Sequence, residues 1–223
     1  MIIVRPTSLA ATLDSAAEAF FINKTIPAAH REEISLTLIS RQNLSGPNSG
    51  FFIPFAAERD TPFRLFSGEQ LYTDFARNHI HLIESTRLLM LLSLNRIGVD
   101  HSVQIADQRM GTICYSKFCP KGECKSLTIA YMRYLSTCNE KDTGLCLKPF
   151  LTKLVDYRDG KGKWNGFPFY YTLLMLSEVT DPLATQELQY AAPICEKQRA
   201  QNWPRDPFSI RRQSIITQAL ARS

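Results

Sequence analysis

Apolar residues recur three and four positions apart along most of this chain, which is the spacing of one face of an α-helix. The first helix opens at Pro6 and Thr7, and its apolar face includes Leu9, Leu13 and Phe20. Further helices are predicted at about residues 28–41, 79–94, 102–108, 125–138, 149–157, 169–176, 183–192 and 207–221, with another helical region opening at Ser67.

Glycine and proline mark several of the predicted helix ends. Gly98 is expected to end the helix at 79–94, because glycine favours the position just after a helix. Pro193 is expected to break or kink the helix that begins at Leu183, since proline has no backbone N–H. Asp206 and Pro207 predict the start of the last helix, because aspartate suits the capping position and proline suits the first turn.

A long segment after the second helix lacks helical spacing. Residues 43–68 are rich in Gly, Pro, Asn and Ser, but they also carry phenylalanine at positions 51, 52, 55, 63 and 66. A disordered linker would lack such a concentration of aromatic residues. We therefore predict a long ordered loop, a type of segment that often carries function.

The pattern as a whole predicts a helical protein. No segment shows strand alternation flanked by hairpin signals. We therefore predict an all-α protein of about nine or ten helices packed as helical hairpins. A length of 223 residues fits a single domain that spans residues 1–223 and includes the ordered loop.

The charge and hydropathy of the chain indicate which partners and which cellular location to expect. The net charge of +5 is mild and the basic residues are scattered, so we expect no nucleic-acid partner. The most apolar run, at residues 88–94, is too short to cross a bilayer, and Asp14 and Glu18 interrupt any signal peptide. We therefore expect a cytoplasmic protein with no transmembrane segment, in which the six cysteines are thiols or ligands rather than a disulfide framework. The sequence leaves the oligomeric state open.

A glycine-rich turn precedes the most apolar of the predicted helices. The turn contains Asp159, Gly160, Gly162 and Trp164, and residues 169–176 are apolar on nearly every face. This arrangement resembles the helical-hairpin repeats of α/α toroids, as in prenyltransferase β-subunits and terpenoid cyclases. The resemblance implies hairpin architecture with a partial toroid. It implies no activity, because neither the acidic motif of the cyclases nor the zinc ligands of the prenyltransferases are recognisable here.

Three cysteines give the first candidate for chemistry. Cys114, Cys119 and Cys124 lie in one segment of eleven residues, and a loop of that length can fold three sulfurs toward one point. Thiolates suit zinc or an iron–sulfur cluster, and Cys138 or Cys146 could supply a fourth ligand. The spacing matches neither the paired-cysteine zinc signatures nor the ferredoxin signatures. The alternative is that these thiols are small buried apolar groups, or include one incidental redox pair.

A second candidate lies on the helix at 79–94. His81 and Glu84 are three residues apart and share a helix face, and His79 precedes them. A His-x-x-Glu pair can bind a metal ion or transfer protons. The alternative is a polar seam in which Glu84 pairs with Arg87 or Arg77.

The glycine-rich turn is a third candidate, because it combines aromatic side chains with a few charges, as small-molecule sites do. The alternative is a capping network that only fixes the turn, with Trp164 closing the core. The candidate pocket residues are Asp156, Arg158, Asp159, Trp164, Tyr170 and Tyr171.

The motifs of several large enzyme classes are missing from the sequence. It contains no nucleophile elbow, phosphate-binding loop or dinucleotide fingerprint, so catalytic residues stay unassigned. Three hypotheses follow. The protein is a toroid-type helical protein with a small-molecule pocket among its turns, a helical protein that binds zinc or an iron–sulfur cluster at 114–124, or a non-catalytic interaction scaffold.

Overall fold

The computed structural model describes residues 4–58, 61–94, 96–138 and 140–223. Over these ranges the chain forms nine α-helices, which confirms the predicted all-α class and the predicted number of helices. None of these described helices is both long enough and apolar enough to cross a membrane. The helices are α1 (Leu9–Phe21), α2 (Ala28–Ser40), α3 (Asp74–Leu92), α4 (Ile97–Gly111), α5 (Cys124–Leu135), α6 (Glu140–Val155), α7 (Phe169–Glu178), α8 (Pro182–Arg199) and α9 (Pro207–Arg222).

Short elements interrupt the connections between helices. Two 3₁₀ helices cover Ala56–Glu58 and Cys114–Lys117. A two-stranded sheet pairs β1 (Phe63–Arg64) with β2 (Gln70–Leu71). The sequence does not predict these strands, because two residues are too few to show alternation.

The first of two compact units comprises Met1–Phe63 and Leu71–Ser116. Its centre is α3, which packs against α1, α2 and α4, while α2 also packs against α4. Leu82, Ile83 and Leu89 on α3 are fully buried, as expected for a helix surrounded by others.

The second unit comprises Arg64–Gln70 and Lys117–Ser223. Its centre is α7, which packs against α5, α8 and α9, while α6 packs against α5 and α8. Every residue of α7 from position 171 to 177 is buried, so the predicted central helix is indeed an inner one. The single domain over residues 1–223 stays a prediction.

Polar side chains cap four of the helices. Ser8, Thr73, Asp181 and Asp206 each accept a hydrogen bond from a backbone N–H of the first turn that follows. Such caps satisfy donors that have no partner inside the helix. Pro207 is the first residue of α9, which confirms the predicted start of the last helix.

One predicted helix end, at Gly98, is wrong, and Pro193 does not break its helix, while the kink expected there stays a prediction. The helix α3 ends at Leu92 because Ser93 takes the left-handed conformation, with a φ of 48°, and Gly98 lies instead in the first turn of α4. The helix α8 continues through Pro193. The carbonyl that loses its partner there belongs to Gln189, which is exposed to solvent, and packing of α8 against its neighbours outweighs one missing hydrogen bond.

A carboxylate that is distant in sequence holds the start of α1. Glu58 accepts hydrogen bonds from the Ser8 hydroxyl at 2.7 Å and from the backbone N–H groups of Leu9 and Ala10 at 2.9 and 2.8 Å. Burial raises the pKa of Glu58, but these hydrogen bonds, together with one from the amide of Phe55, outweigh that effect and hold it below its ordinary value. The start of α1 is thereby tied to the long loop between α2 and α3.

Candidate functional site

Three cysteine side chains converge in the segment 114–124. The Sγ atoms of Cys114, Cys119 and Cys124 all lie within 4.8 Å of one another. Cys114 is exposed and the other two are half-buried, so solvent reaches the cluster. In the part of the chain that the structure describes, no other group of three His, Cys, Asp or Glu side chains brings its ligand atoms so close together. The structure therefore assembles the three thiols that the sequence singles out.

The middle of the segment is fixed by contacts from within the second unit. Thr128 on α5 accepts a hydrogen bond from the Cys119 N–H at 3.2 Å and donates one to the Cys119 carbonyl at 3.1 Å. Phe118 has a φ of 64°, which residues other than glycine rarely adopt. Its ring lies 6.0 Å from that of Phe150 and 5.8 Å from that of Phe167. These contacts position Cys119, and no spacing in the sequence indicates them.

The surroundings of the cluster favour negative charge. Cys124 is the first residue of α5, and the helix dipole favours negative charge at this end. The backbone N–H groups of residues 124–127 already donate to carbonyls of residues 121–123, so only the dipole contributes here. Lys117, Lys121 and Lys125 belong to the same stretch of chain as Glu123, so residues 117–125 carry a net positive charge. The Lys125 ammonium donates to the carbonyl of Asn165 at 3.0 Å.

The other three cysteines lie outside the cluster. Cys138 follows α5, and its thiol donates to the Tyr134 carbonyl at 3.8 Å. Cys146 is exposed on α6, and in the structure neither its sulfur nor that of Cys138 joins the group of three. Cys195 is buried in α8, and burial raises the pKa of its thiol to about 11.

The His81 and Glu84 candidates have separate surroundings in the first unit. His81 is buried, with its ring 4.8 Å from that of Phe63. Burial lowers the pKa of His81 to about 4, although the nearby charge of Glu58 opposes the shift. Glu84 lies 3.9 Å from a guanidinium nitrogen of Arg87, which is the polar seam given above as the alternative. A metal-binding role for the pair stays a prediction.

Two of the candidate pocket residues in the glycine-rich turn meet a buried carboxylate that the sequence does not single out. Glu187 on α8 is fully buried and accepts hydrogen bonds from Arg158 at 2.6 and 3.1 Å and from the Trp164 indole N–H at 2.7 Å. Arg158 and Trp164 are also paired through a β-bridge. The carboxylate therefore ties the turn to α8. No local pattern could reveal this, because the partners are 29 and 23 residues away.

Asp159 organises the tip of the same turn. Its Oδ1 accepts hydrogen bonds from the backbone N–H groups of Lys161 and Lys163 at 2.7 and 2.9 Å and from the Tyr190 hydroxyl at 3.0 Å. The backbone hydrogen bonds from Lys163 and Lys161 hold the pKa of Asp159 below its ordinary value. This is the geometry of the capping network given as the alternative to a pocket.

The remaining pocket candidates have different surroundings. The backbone N–H groups of Tyr170 and Tyr171 donate to Glu69 at 3.0 and 3.3 Å, so this carboxylate caps α7. The Tyr171 hydroxyl is buried and accepts a hydrogen bond from Arg133 at 3.3 Å. Asp156 is exposed just after α6. The small-molecule pocket at these residues stays a prediction.

The first unit contains a cavity of about 610 Å³ that the sequence analysis does not locate. Loop residues between 43 and 54 and the first two turns of α3 line it, and His79 is among the lining residues. Two sequence signals pointed to this region, the aromatic content of the loop and His79 on the helix at 79–94.

Comparisons of the chain with protein-family models, with curated proteins and with solved structures give no match. The function must therefore be inferred from the residues and their geometry. Of the three sequence candidates, the cysteine cluster brings the most reactive side chains together.

Proposed function

We propose that this protein binds a single zinc ion through Cys114, Cys119 and Cys124. The observation that carries the proposal is the approach of three thiols to within 4.8 Å of one another. Zinc binds thiolate sulfur at about 2.3 Å, so two sulfurs on a tetrahedral ion lie about 3.8 Å apart. The sulfurs need to close by no more than about 1 Å to hold the ion, which side-chain rotation can supply.

The same distance favours one ion over an iron–sulfur cluster. Three thiolates of a cluster are divided over at least two iron atoms, so some of their sulfurs lie farther apart than they do on one ion. The usual clusters also take four cysteines, and neither Cys138 nor Cys146 joins the three in the structure. Three thiolates do complete the protein share of a zinc site with one open position.

The surroundings of the three thiols support metal binding in two further ways. The dipole at the amino end of α5 and the net positive charge of residues 117–125 favour the thiolate form that zinc requires. Thr128 fixes the backbone of Cys119, in the manner of the residues that orient metal ligands. Because Cys114 is exposed, solvent would have access to an ion held here, and zinc would act as a Lewis acid toward an incoming ligand. We assign no reaction to the site.

The metal content of protein purified without oxygen tests this proposal. We expect near-stoichiometric zinc in the wild-type protein by mass spectrometry of the elements. The zinc should be lost in Cys114→Ser, Cys119→Ser and Cys124→Ser, because a serine hydroxyl is a poor zinc ligand. Cys146→Ser is the matched control, since Cys146 is exposed and outside the cluster, and it should keep the zinc.

Three other results of the zinc measurement would contradict the proposal or change it. A wild-type protein that contains no zinc and takes up none when zinc is added would contradict the proposal. Iron with visible absorption would show a cluster in its place. Equal loss of zinc from Cys146→Ser would show that the ion is not held by the three thiols.

Two packing contacts between consecutive helices support the helical-hairpin architecture that the resemblance to α/α toroids implies. The consecutive helices α7 and α8 pack against each other, as do α8 and α9, which fits helical hairpins in the second unit. A partial α/α toroid, a cytoplasmic location and a small-molecule ligand at the glycine-rich turn stay proposals beside the zinc site.

A further inference from the structure

The cavity of the first unit has the size and position of a ligand site. Its volume of about 610 Å³ falls within the range usual for small-molecule pockets. One wall comes from the long loop between α2 and α3, and the other comes from the amino end of α3. Ordered loops held against a rigid helix are where binding residues are concentrated.

Aromatic rings form much of the cavity wall. The ring of Phe51 meets the imidazole of His79 edge-on, with centroids 5.0 Å apart. The ring of Phe75 lies 4.1 Å from the same imidazole at an angle of 36°. Phe75 is exposed on the protein surface, as is Ile53, so the apolar wall is open to an incoming molecule. Rings in this arrangement suit a flat aromatic ligand.

His79 supplies a hydrogen-bond acceptor to this wall. Its Nδ1 lies 2.7 Å from the carbonyl oxygen of Phe75, and since a carbonyl only accepts, Nδ1 must carry the hydrogen. Burial lowers the pKa of His79, the hydrogen bond to Phe75 opposes this in part, and the charge of Arg109 lowers it further. The imidazole is therefore neutral near neutral pH, with a lone pair on Nε2.

The Nε2 atom of His79 is buried and has no hydrogen-bond partner among the described residues, and the residue as a whole is only 5% exposed. A buried acceptor without a partner costs free energy, and since His79 is among the residues that line the cavity, a donor bound there that displaces the groups covering Nε2 would recover that cost.

Side-chain amides give the cavity further polar groups. Asn43, Asn48 and Asn78 all line it. Within the ranges that the structure describes, none of these three amides hydrogen-bonds to another part of the chain. They are therefore available to bind polar substituents, as the few polar groups of an apolar pocket commonly are.

We propose that this cavity binds a flat aromatic molecule with a hydrogen-bond donor on its ring, such as the N–H of an indole or the O–H of a phenol. The ring of the ligand packs against Phe51 and Phe75, its donor bonds to Nε2 of His79, and Asn78 binds a polar substituent. This site shares no residue with the cysteine cluster, so each proposal can fail without the other.

A pair of matched probes tests the hydrogen bond. Indole and N-methylindole share one ring system, but only indole has an N–H donor. Titrations followed by two-dimensional NMR of the ¹⁵N-labelled protein should show indole binding about fivefold more tightly than N-methylindole. His79→Phe keeps a flat ring but removes the acceptor, so it should bind the two probes equally. His101→Phe, an exposed histidine of α4, should keep the preference.

Circular dichroism shows whether His79→Phe folds. The comparison of the two probes on the wild-type protein does not depend on that result. The proposal is overturned if the wild-type protein binds neither probe or binds both with the same affinity. It is also overturned if a folded His79→Phe keeps the preference for indole, because the donor would then bond elsewhere.

Discussion

Replacing Glu187 with alanine is expected to lower the free energy of unfolding by about 3 kcal/mol. This carboxylate is fully buried and accepts hydrogen bonds from Arg158 and from the indole N–H of Trp164. Its loss leaves one buried donor without an acceptor and one guanidinium without its partner. The side chain of Arg158 is 33% exposed, so water hydrates the unpaired guanidinium and offsets part of the loss. The expected cost is therefore at the low end of the range measured for breaking buried ion pairs.

Urea unfolding followed by far-ultraviolet circular dichroism measures this effect. The control is Glu32→Ala, which removes a pair of similar length, 2.8 Å to Arg96, from the protein surface. That pair is about half exposed on both sides, so we expect its removal to cost less than about 1 kcal/mol. If Glu187→Ala is no less stable than Glu32→Ala, the buried carboxylate does not hold the turn to α8.

Replacing Gly162 with alanine should lower the free energy of unfolding by about 2–4 kcal/mol, from backbone strain and overpacking together. The φ of Gly162 is +90°, which other residues rarely adopt. A Cβ added there would also lie 2.7 Å from Cγ2 of Ile194 and 3.4 Å from the carbonyl oxygen of Tyr190. The methyl group of a β-branched side chain on α8 has little freedom to move aside.

Gly160→Ala is the matched control in the same turn. Its φ is +74°, but an added Cβ meets no atom within 4 Å, so only the strain of about 1–2 kcal/mol applies. Thermal and urea unfolding of the two variants should therefore differ clearly. In a double-mutant cycle, Gly162→Ala should cost less in the Ile194→Ala background than in the wild-type protein, since the contact at 2.7 Å is then absent. Equal destabilisation by the two glycine variants would show that the approach to α8 does not matter.

Features that depend on neighbours in sequence could be predicted from the sequence. The cap at Asp206 bonds to amides two and three residues further along, so residue type and order were enough to place the start of α9. The sequence also allowed the convergence of Cys114, Cys119 and Cys124, because a turn of eleven residues can fold three sulfurs toward one point. It did not require this, since an extended segment of that length would span roughly 33 Å or more.

Features that depend on distant pairs could not be predicted in this way. Glu58 and Glu69 cap helices that begin about 50 and 100 residues away, and nothing in their own segments shows it. The same holds for Glu187, which sits in an ordinary helical pattern. For His79, the sequence indicated a polar helix face but could not place the loop residues against it.

Zinc binding by the three thiols can be tested by asking whether added zinc protects individual cysteines from chemical modification. Reduced protein is treated with iodoacetamide, with and without added zinc, and the modified peptides are identified by mass spectrometry. Two other cysteines serve as internal references. Cys146 is exposed and should react in both samples, whereas Cys195 is buried, with a thiol pKa of about 11, and should react in neither.

We expect zinc to slow the modification of Cys114, Cys119 and Cys124 together and to leave that of Cys146 unchanged, because one ion would hold all three thiolates. Modification of the three cysteines at the same rate with and without zinc would contradict the proposed zinc site.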